Sequence, residues 1–342
     1  MNRLTLIVVC AGLFAVGQAA ETFVVQDVPG YNSWPMIETL GDKLVCVYSR
    51  GSAHTICEGK RGVWARTSSD GVKTWTPESV VVNDPTRGEV TEGAGRDSSG
   101  AVLFWVRSWG GGKPRHDLYR SEDGIAFKQI AALHLDPAPM QITDIFRTPK
   151  GLMALWFQGK YRPADAPKCW GTVVSVDEGR TWTQRTVEKD LPAAEWPTEQ
   201  AALALDGGKR ILVVARSESG SGRGQFQLIS EDGGETWRKS YTNIRDVAES
   251  TPSLIFDAAT GLVSNYYYQR GPGLLKRRVV RLEDIFTHPE AWPEPEVLAK
   301  GGRFRPYDSG NVNAVSLKGA HYAAWYTGDP TNTSVVVTRV GK

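Results

Sequence analysis

Cysteine, histidine and any excess of one charge are scarce in this sequence. Its 342 residues include four cysteines and five histidines, and the formal net charge is only +2. A nearly neutral chain without a basic block lacks the charge needed to follow a phosphate backbone, so we expect no nucleic-acid partner. The three cysteines beyond the first 20 residues have no histidine pairs nearby, so neither a metal nor another cofactor is expected.

Long hydrophobic runs are also missing, except at the N-terminus. Arg3 precedes an apolar stretch from Leu4 to Val16, and small residues follow. This pattern is typical of a secretory signal peptide and is too short for a membrane-spanning helix. We therefore expect residues 1–20 to be a signal peptide and residues 21–342 to form a single domain. The expected product is a secreted or periplasmic monomer with no membrane span.

The few cysteines leave one question open. Cys46 and Cys57 stand at the two ends of a short segment, and they could form a disulfide in an oxidising compartment. Two buried thiols are an equally good interpretation.

Glycine and tryptophan, in contrast, are abundant, and they recur in one repeated motif. The chain has 36 glycines and 12 tryptophans. Four similar stretches, here called the boxes, start 53, 54 and 55 residues apart: SSDGVKTW at Ser68, SEDGIAF at Ser121, SVDEGRTW at Ser175 and SEDGGETW at Ser230. A fixed period of this size indicates stacked supersecondary units.

The segments between the boxes alternate as β-strands do, for example LVCVYS, AVLFWV and ILVVAR. Four strands repeated six times predict an all-β fold, a six-bladed β-propeller with four-stranded antiparallel blades. The strand at Thr22–Val28 is expected to complete the last blade, and a degenerate fifth box is expected at Arg281–Ile285. Each box Asp should accept backbone hydrogen bonds, its Gly should adopt a positive φ, and its Trp should pack between blades. The boxes are therefore interpreted as structural, not catalytic.

Two sets of positions are expected to face the central depression of the propeller. Arginines follow the second strand of four units, and their planar guanidinium forks match a carboxylate or a sulfate. Acidic residues begin the innermost strands, where they serve either acid–base chemistry on a sugar or charge balance. The predicted substrate-binding residues are Arg50, Arg107, Arg216, Arg270, Asp144, Glu92 and Asp308.

The boxes resemble the Asp-box (bacterial neuraminidase repeat) of the sialidase superfamily, and the repeat covers nearly the whole chain beyond the signal. The stretch TEQAALALDGGKRILVVARSE resembles the part of sialidases that carries a glutamate followed by an arginine. The resemblance implies that Glu199 is the base for a tyrosine nucleophile. It also implies that Arg216, together with Arg270 or alternatively Arg277, belongs to a triad of arginines that grips the sialic acid carboxylate.

The sequence departs from the sialidase pattern at three places. Ser33 stands where the first arginine of the triad is expected, and Arg50 is a possible replacement. The loop that should carry an acid/base aspartate offers Glu58, with His54 as the second choice. Tyr307 is the expected nucleophile, although the spacing places that role nearer to residue 310 or 311.

Three functions agree with this pattern. A sialidase-like glycoside hydrolase would act on terminal sialic acid or a related acidic sugar of a glycan. The alternatives are another carbohydrate-active propeller, directed at uronates as a hydrolase or lyase, and a glycan-binding propeller without catalysis. The expected partner is in each case an acidic glycan.

Overall fold

The computed structural model describes residues 20–52, 54, 61–110, 113–159, 168–217, 224–247, 250–302 and 309–341. These residues form twenty-five β-strands, one short α-helix and two 3-10 turns. The strands of the first part of the chain are β1 (Glu21–Gln26), β2 (Tyr31–Leu40), β3 (Lys43–Gly51), β4 (Gly62–Ser68), β5 (Ser79–Val82), β6 (Gly88–Arg96), β7 (Val102–Gly110), β8 (Lys113–Ser121) and β9 (Lys128–Leu133).

The middle of the chain continues the same up-and-down course. Its strands are β10 (Gln141–Ile142), β11 (Phe146–Thr148), β12 (Gly151–Gln158), β13 (Lys168–Ser175), β14 (Thr183–Leu191), β15 (Thr198–Leu205), β16 (Arg210–Arg216), β17 (Phe226–Ser230) and β18 (Arg238–Tyr241). The 3-10 turns are Ala193–Glu195 and Asp206–Gly208.

The last part contains the helix. Its elements are β19 (Ser253–Asp257), β20 (Leu262–Gln269), β21 (Leu274–Arg281), α1 (Leu282–Thr287), β22 (Glu296–Lys300), β23 (Gly310–Leu317), β24 (Ala320–Gly328) and β25 (Thr333–Gly341). Helix α1 takes the place predicted for the degenerate fifth box, and its buried residues pack into the core.

The sheets are arranged as an all-β propeller. Hydrogen bonding among the described residues divides the strands into five sheets: one of eight strands, one of five and three of four. The eight-stranded sheet joins β23–β25 to β2–β5 through one parallel pair, Tyr31 with Thr333. The first strands contact one another in a closed ring that runs through β2, β6, β10 and β11, β15, β19 and β23. This ring surrounds the central axis.

The N-terminal strand closes the propeller as predicted. Strand β1 pairs antiparallel with β25, from Glu21 with Arg339 onward, so the two ends of the described chain lie in one sheet. Pairing strands that are far apart in sequence removes two exposed edges, which otherwise invite association.

The four boxes adopt the predicted turn. In the third box, Asp177 accepts hydrogen bonds from the Thr181 amide at 2.8 Å and from its hydroxyl at 2.7 Å, while the Gly179 amide donates to the Ser175 hydroxyl at 2.8 Å. Gly179 has φ 91°, a conformation that glycine adopts at little cost. The indole of Trp182 packs against that of Trp105 in the preceding sheet, with 5.0 Å between ring centroids. The boxes therefore join neighbouring sheets, which confirms their structural interpretation.

Candidate active site

Bulges near the start of the innermost strands shape the centre of the propeller. The ladders of β2, β6, β15 and β23 each skip two residues at the same point. Within three of these bulges a non-glycine residue adopts the left-handed conformation: Trp34 at φ 50°, Glu199 at φ 45° and Asn311 at φ 47°. Such a conformation costs about 1–2 kcal/mol per residue, and it re-aims a side chain that a regular strand would direct elsewhere. Strain of this kind clusters at functional sites.

Each of the three left-handed residues contacts a buried arginine. The Arg61 guanidinium lies 4.7 Å from the centroid of the Trp34 ring. The distance from Arg216 Nη1 to Glu199 Oε1 is 2.8 Å, and that from Arg270 Nη2 to Asn311 Oδ1 is 3.4 Å. The exposed fractions of the three arginines, here called the arginine cradle, are 4%, 7% and 7%. Three of the sheets thus each hold one buried guanidinium against a bulge of an innermost strand.

Arg61 was not singled out from the sequence, yet it lies beside the residue that departs from the sialidase pattern. It precedes β4, and its Nη1 donates a hydrogen bond to the Ser33 hydroxyl at 3.1 Å. Burial lowers the pKa of Arg61 to about 10, so the side chain stays cationic at neutral pH. Nothing local in the sequence marks this arginine, because only the pairing of β3 with β4 brings it to β2.

Glu199 uses both carboxylate oxygens. Oε1 accepts from Arg216, and Oε2 accepts the Thr251 hydroxyl at 2.7 Å. Because it accepts a hydrogen bond on each oxygen, the carboxylate fixes the orientation of the arginine. Thr251 comes from the segment before β19, so this contact also joins two sheets.

Arg270 crosses to the next sheet. Its Nε donates to the Ser309 carbonyl at 3.0 Å, at the start of the innermost strand that carries Asn311. Gly310 lies beside the guanidinium, since a Cβ there would stand 3.4 Å from Arg270 Nε, an ordinary contact distance. Glycine is favoured at this position by its φ of 120°.

The prediction that the four arginines occupy equivalent positions in their strands is wrong. Arg216 is the ladder partner of Thr198 at the edge of its bulge, whereas the corresponding partners in the first and second units are Ser49 and Val106. Arg50 and Arg107 stand one residue further along their strands. Successive side chains of a strand point to opposite faces of the sheet. Relative to the bulge of the innermost strand, Arg50 and Arg107 therefore do not occupy the position that Arg216 occupies in its own sheet.

Arg50 lies against the outer strands of its sheet. Its Nη1 is 2.6 Å from Glu78 Oε2, and its guanidinium lies 5.1 Å from the Trp64 ring centroid. The Ser33 hydroxyl thus accepts its hydrogen bond from Arg61, whereas Arg50 pairs with Glu78.

Arg107 belongs to a buried polar cluster with Glu92 and His116. Its Nε is 3.7 Å from Glu92 Oε1, and Glu92 Oε2 is 2.7 Å from His116 Nδ1. The other ring nitrogen, His116 Nε2, is 3.2 Å from the Pro139 carbonyl, and Arg107 also donates to the Met140 carbonyl. The cluster therefore ties β6–β8 to the segment that leads into β10.

Asp144 reaches across the central axis. It accepts the Ala94 amide at 2.9 Å and the Asn313 side-chain amide at 3.1 Å, which come from β6 and β23. Burial raises the pKa of Asp144 to about 7, and the hydrogen bond from Ala94 opposes that rise. In the folded protein this carboxyl group is largely protonated below neutral pH.

Asp144→Asn is expected to make the protein more stable at alkaline pH. The folded state binds the Asp144 proton up to about pH 7, whereas the unfolded chain releases it near pH ~3.9. The stabilising contribution is therefore complete below pH ~4 and is lost as the pH rises through ~7. The two pKa values differ by ~3 units of ~1.4 kcal/mol each, so urea unfolding should give the variant a free energy of unfolding up to about 4 kcal/mol above wild type at pH 8, with the gap narrowing toward pH 4. An equal gap at both pH values would contradict the assignment.

The remaining predicted residues are only partly described. The distance from His54 Nδ1 to the Tyr31 hydroxyl is 3.0 Å, and the His54 ring lies 5.2 Å from the Trp34 ring. Glu58, Tyr307 and Asp308 lie outside the described residues. Cys46 is a free, buried thiol, and its predicted partner Cys57 also lies outside the described part.

Neither a metal centre nor a membrane-spanning helix occurs among the described residues. No three side chains of histidine, cysteine, aspartate or glutamate come together there as metal ligands would. Nor does any helix in the described ranges have the length and apolar character needed to cross a membrane.

Known proteins resemble this chain in fold. No family model and no curated protein matches the sequence. A Dyadobacter fermentans protein of unknown function is 17% identical with a TM-score of 0.73, over 94% of this chain and 99% of its own. Trypanosoma rangeli sialidase bound to the inhibitor DANA is 11% identical with a TM-score of 0.64, over 93% of this chain and 57% of its own. Phage phi92 endosialidase is 10% identical with a TM-score of 0.68, over 94% and 69%.

At these identities the likeness establishes a sialidase-like β-propeller fold and leaves the reaction open. The chain spans little more than half the length of the trypanosomal sialidase.

Proposed function

We propose that this protein is a sialidase-like glycoside hydrolase that binds the carboxylate of an acidic sugar in the arginine cradle. The observation that carries the proposal is that Arg61, Arg216 and Arg270 are all buried and each contact a left-handed bulge residue of an innermost strand. Buried arginines that the fold holds in place supply preorganised positive charge, which is worth more in a site of low dielectric constant than in water.

The reacting groups are assigned with the help of the sialidase resemblance. Tyr307 is proposed as the nucleophile and Glu199 as the group that activates it. The acid/base comes from the loop that contains His54 and Glu58. The remaining predicted contacts, Glu92, Arg107, Asp144 and Asp308, would line or support the cleft.

We also propose six blades. The eight-stranded sheet divides at the single Tyr31–Thr333 pair into two four-stranded blades, one of which includes β1. With residues 1–20 as a signal peptide, the propeller would act outside the cytoplasm as a monomer on sialylated or related glycans.

Arg216→Lys tests the proposed binding mode. Lysine keeps the positive charge beside Glu199 but loses the planar fork, so KM for 4-methylumbelliferyl sialic acid should rise about 10-fold with the fold intact. Arg210→Met is the matched control, since Arg210 lies at the other end of β16 in an exposed ion pair with Asp206. Equal kinetic constants for wild type and Arg216→Lys would sink the assignment of Arg216.

Elimination from a uronate is the second candidate, favoured by the proximity of His54, Tyr31 and Arg61. In that reaction an arginine neutralises the carboxylate and a base removes the proton at C5. An unsaturated product that absorbs in the near ultraviolet, formed from a uronate polymer, would favour it. Saturable glycan binding with no product from any substrate would instead favour a binding module.

A further inference from the structure

We propose that Thr251 is a positioning residue for the arginine cradle, because its hydroxyl holds the Glu199 carboxylate that orients Arg216. In this role Thr251 does not touch the sugar, since it acts through Glu199. The proposal rests on the proposed function above for the identity of the ligand, a carboxylated sugar.

The first argument is the chain of hydrogen bonds that ends on the cradle. Thr251 Oγ1 donates to Glu199 Oε2 at 2.7 Å, and Arg216 Nη1 donates to Glu199 Oε1 at 2.8 Å. The exposed fractions of Thr251, Glu199 and Arg216 are 8%, 8% and 7%, so water competes little for these bonds. Hydrogen bonds to a charged group are short and strong, and one on each oxygen opposes rotation of the carboxylate.

The second argument is the stiffness of the segment that carries the hydroxyl. Thr251 precedes Pro252, and a proline disfavours the helical conformation for the residue before it. A β-branched side chain such as threonine also has few χ1 rotamers. Two residues further on, the Ser253 hydroxyl accepts the Ala314 amide at 2.9 Å, which fastens the start of β19 to the neighbouring innermost strand. The hydroxyl that reaches Glu199 is therefore held in place from its own backbone.

The third argument is that the same segment reaches the surroundings of a second cradle arginine. Ser250 lies beside Gly310, since a Cβ on that glycine would stand 3.5 Å from Ser250 Oγ and 3.4 Å from Arg270 Nε. Ser250 itself is fully buried. Because Ser250 and Thr251 are consecutive, one segment contacts the neighbours of two of the three arginines.

The fourth argument is which sheets the bond joins. Glu199 lies in β15, and Arg216 ends β16 of the same four-stranded sheet. Thr251 leads into β19, and Arg270 follows β20 of that second sheet. The hydrogen bond from Thr251 to Glu199 therefore ties together two sheets that each supply one arginine to the cradle.

The consequence concerns direction and not charge. Without the Thr251 hydroxyl, the Glu199 carboxylate loses the donor on Oε2 and can turn, and the Arg216 guanidinium can turn with it. The positive charge of the cradle stays the same, but its preorganisation falls. The loss of affinity should therefore fall on ligands that carry a negative charge.

The test is calorimetric titration of the full chain with N-acetylneuraminic acid and with its methyl ester, which has no negative charge. Thr251→Val removes the hydroxyl and keeps the branched shape of the side chain. We expect it to raise Kd for the acid roughly 10-fold and to leave Kd for the ester unchanged. Thr251→Ser keeps the hydroxyl, so its Kd for the acid should stay within about 2-fold of the wild type.

A double variant shows whether Thr251 acts through the arginine. Adding Thr251→Val to Arg216→Lys should raise Kd for the acid by less than about 2-fold, because the planar fork that Thr251 positions is already gone. A further loss of roughly 10-fold in the double variant would overturn an effect through Arg216.

Thr39→Val is the matched control. The Thr39 hydroxyl also donates to a carboxylate that pairs with an arginine: it lies 3.1 Å from Glu38 Oε1, and Arg96 Nε lies 3.4 Å from the same oxygen. Thr39 is buried like Thr251 but stands near the end of β2, beyond the bulge of that strand. Kd for the acid in Thr39→Val should equal that of the wild type.

Each other result decides against a stated part of the proposal. Wild-type protein that binds neither N-acetylneuraminic acid nor glucuronic acid would overturn the cradle as a carboxylate site, and the role of Thr251 with it. Wild-type affinity for the acid that Thr251→Val leaves unchanged would overturn the positioning role alone. An equal loss for the acid and the ester, or an equal loss in Thr39→Val, would show that Thr251 supports packing and not the direction of Arg216.

Discussion

Replacing Arg61 by methionine is expected to lower kcat/KM for an acidic glycoside about 100-fold while the propeller stays folded. One charge-assisted contact to a carboxylate is worth about 1.5–3 kcal/mol, and about 2.7 kcal/mol corresponds to a factor of ~100. Methionine retains an unbranched apolar stem to pack on the rings of Trp34 and Tyr31. One structural loss is the hydrogen bond to the Ser33 hydroxyl, about 1 kcal/mol.

An exchange variant sharpens this prediction. Ser33→Arg combined with Arg61→Ser moves the guanidinium to the strand position where sialidases are expected to carry it. Because Ser33 is fully buried, the larger side chain fits only where Arg61 has been removed. We expect the exchange to recover part of the activity that Arg61→Met loses, and Ser33→Arg alone to destabilise the protein. Full activity in Arg61→Met would show that Arg61 plays no part in binding.

Replacing Glu92 by leucine is expected to cost about 3–5 kcal/mol of unfolding free energy. The exposed fraction of Glu92 is 2%, and its carboxylate lies between Arg107 and His116. Without Glu92, the Arg107 charge loses its buried counter-charge and His116 Nδ1 loses its acceptor. A charge left uncompensated in the interior is far more destabilising than the intact pair is stabilising.

Chemical denaturation of Glu92→Leu against a surface control checks the size of this effect. Glu122→Gln breaks the ion pair with Arg120 in the same sheet, where the Glu122 side chain is 76% exposed. That control should change the free energy of unfolding by less than about 0.5 kcal/mol. A loss below about 1 kcal/mol in Glu92→Leu would mean that the interior of this cluster is hydrated and that Arg107 is compensated elsewhere.

Much of the fold was predictable because the box is a local structure. In three of the boxes an Asp, a Ser and a Gly that are close in sequence satisfy one another, as Asp177, Ser175 and Gly179 do. In the first box the Val72 amide takes the place of the glycine amide. The repeat period then predicts stacked strands, and the strand at the N-terminus predicts closure. The fifth box was harder to predict, because RLEDIF lacks the glycine and forms the start of α1 instead.

The site was only partly predictable, and the reason is strand register. Counting along the sequence placed Arg50, Arg107 and Arg216 at equivalent positions. The ladders show that Arg216 differs from the other two by one residue, which reverses the face of the strand. Glu199 and Arg216, which the resemblance to sialidases singled out, meet across one hairpin, where the spacing between strands is a local property.

The sequence alone thus determined the all-β repeat, the box turns and the closing strand, since each depends on residues that interact within one hairpin or follow one period. Only the tertiary structure decided which arginines the bulge residues hold. Bulges re-aim Trp34, Glu199 and Asn311, and the pairing of β3 with β4 carries Arg61 to Ser33. Such contacts depend on how the strands bulge and pair around the whole ring of sheets. No short sequence motif specifies that arrangement.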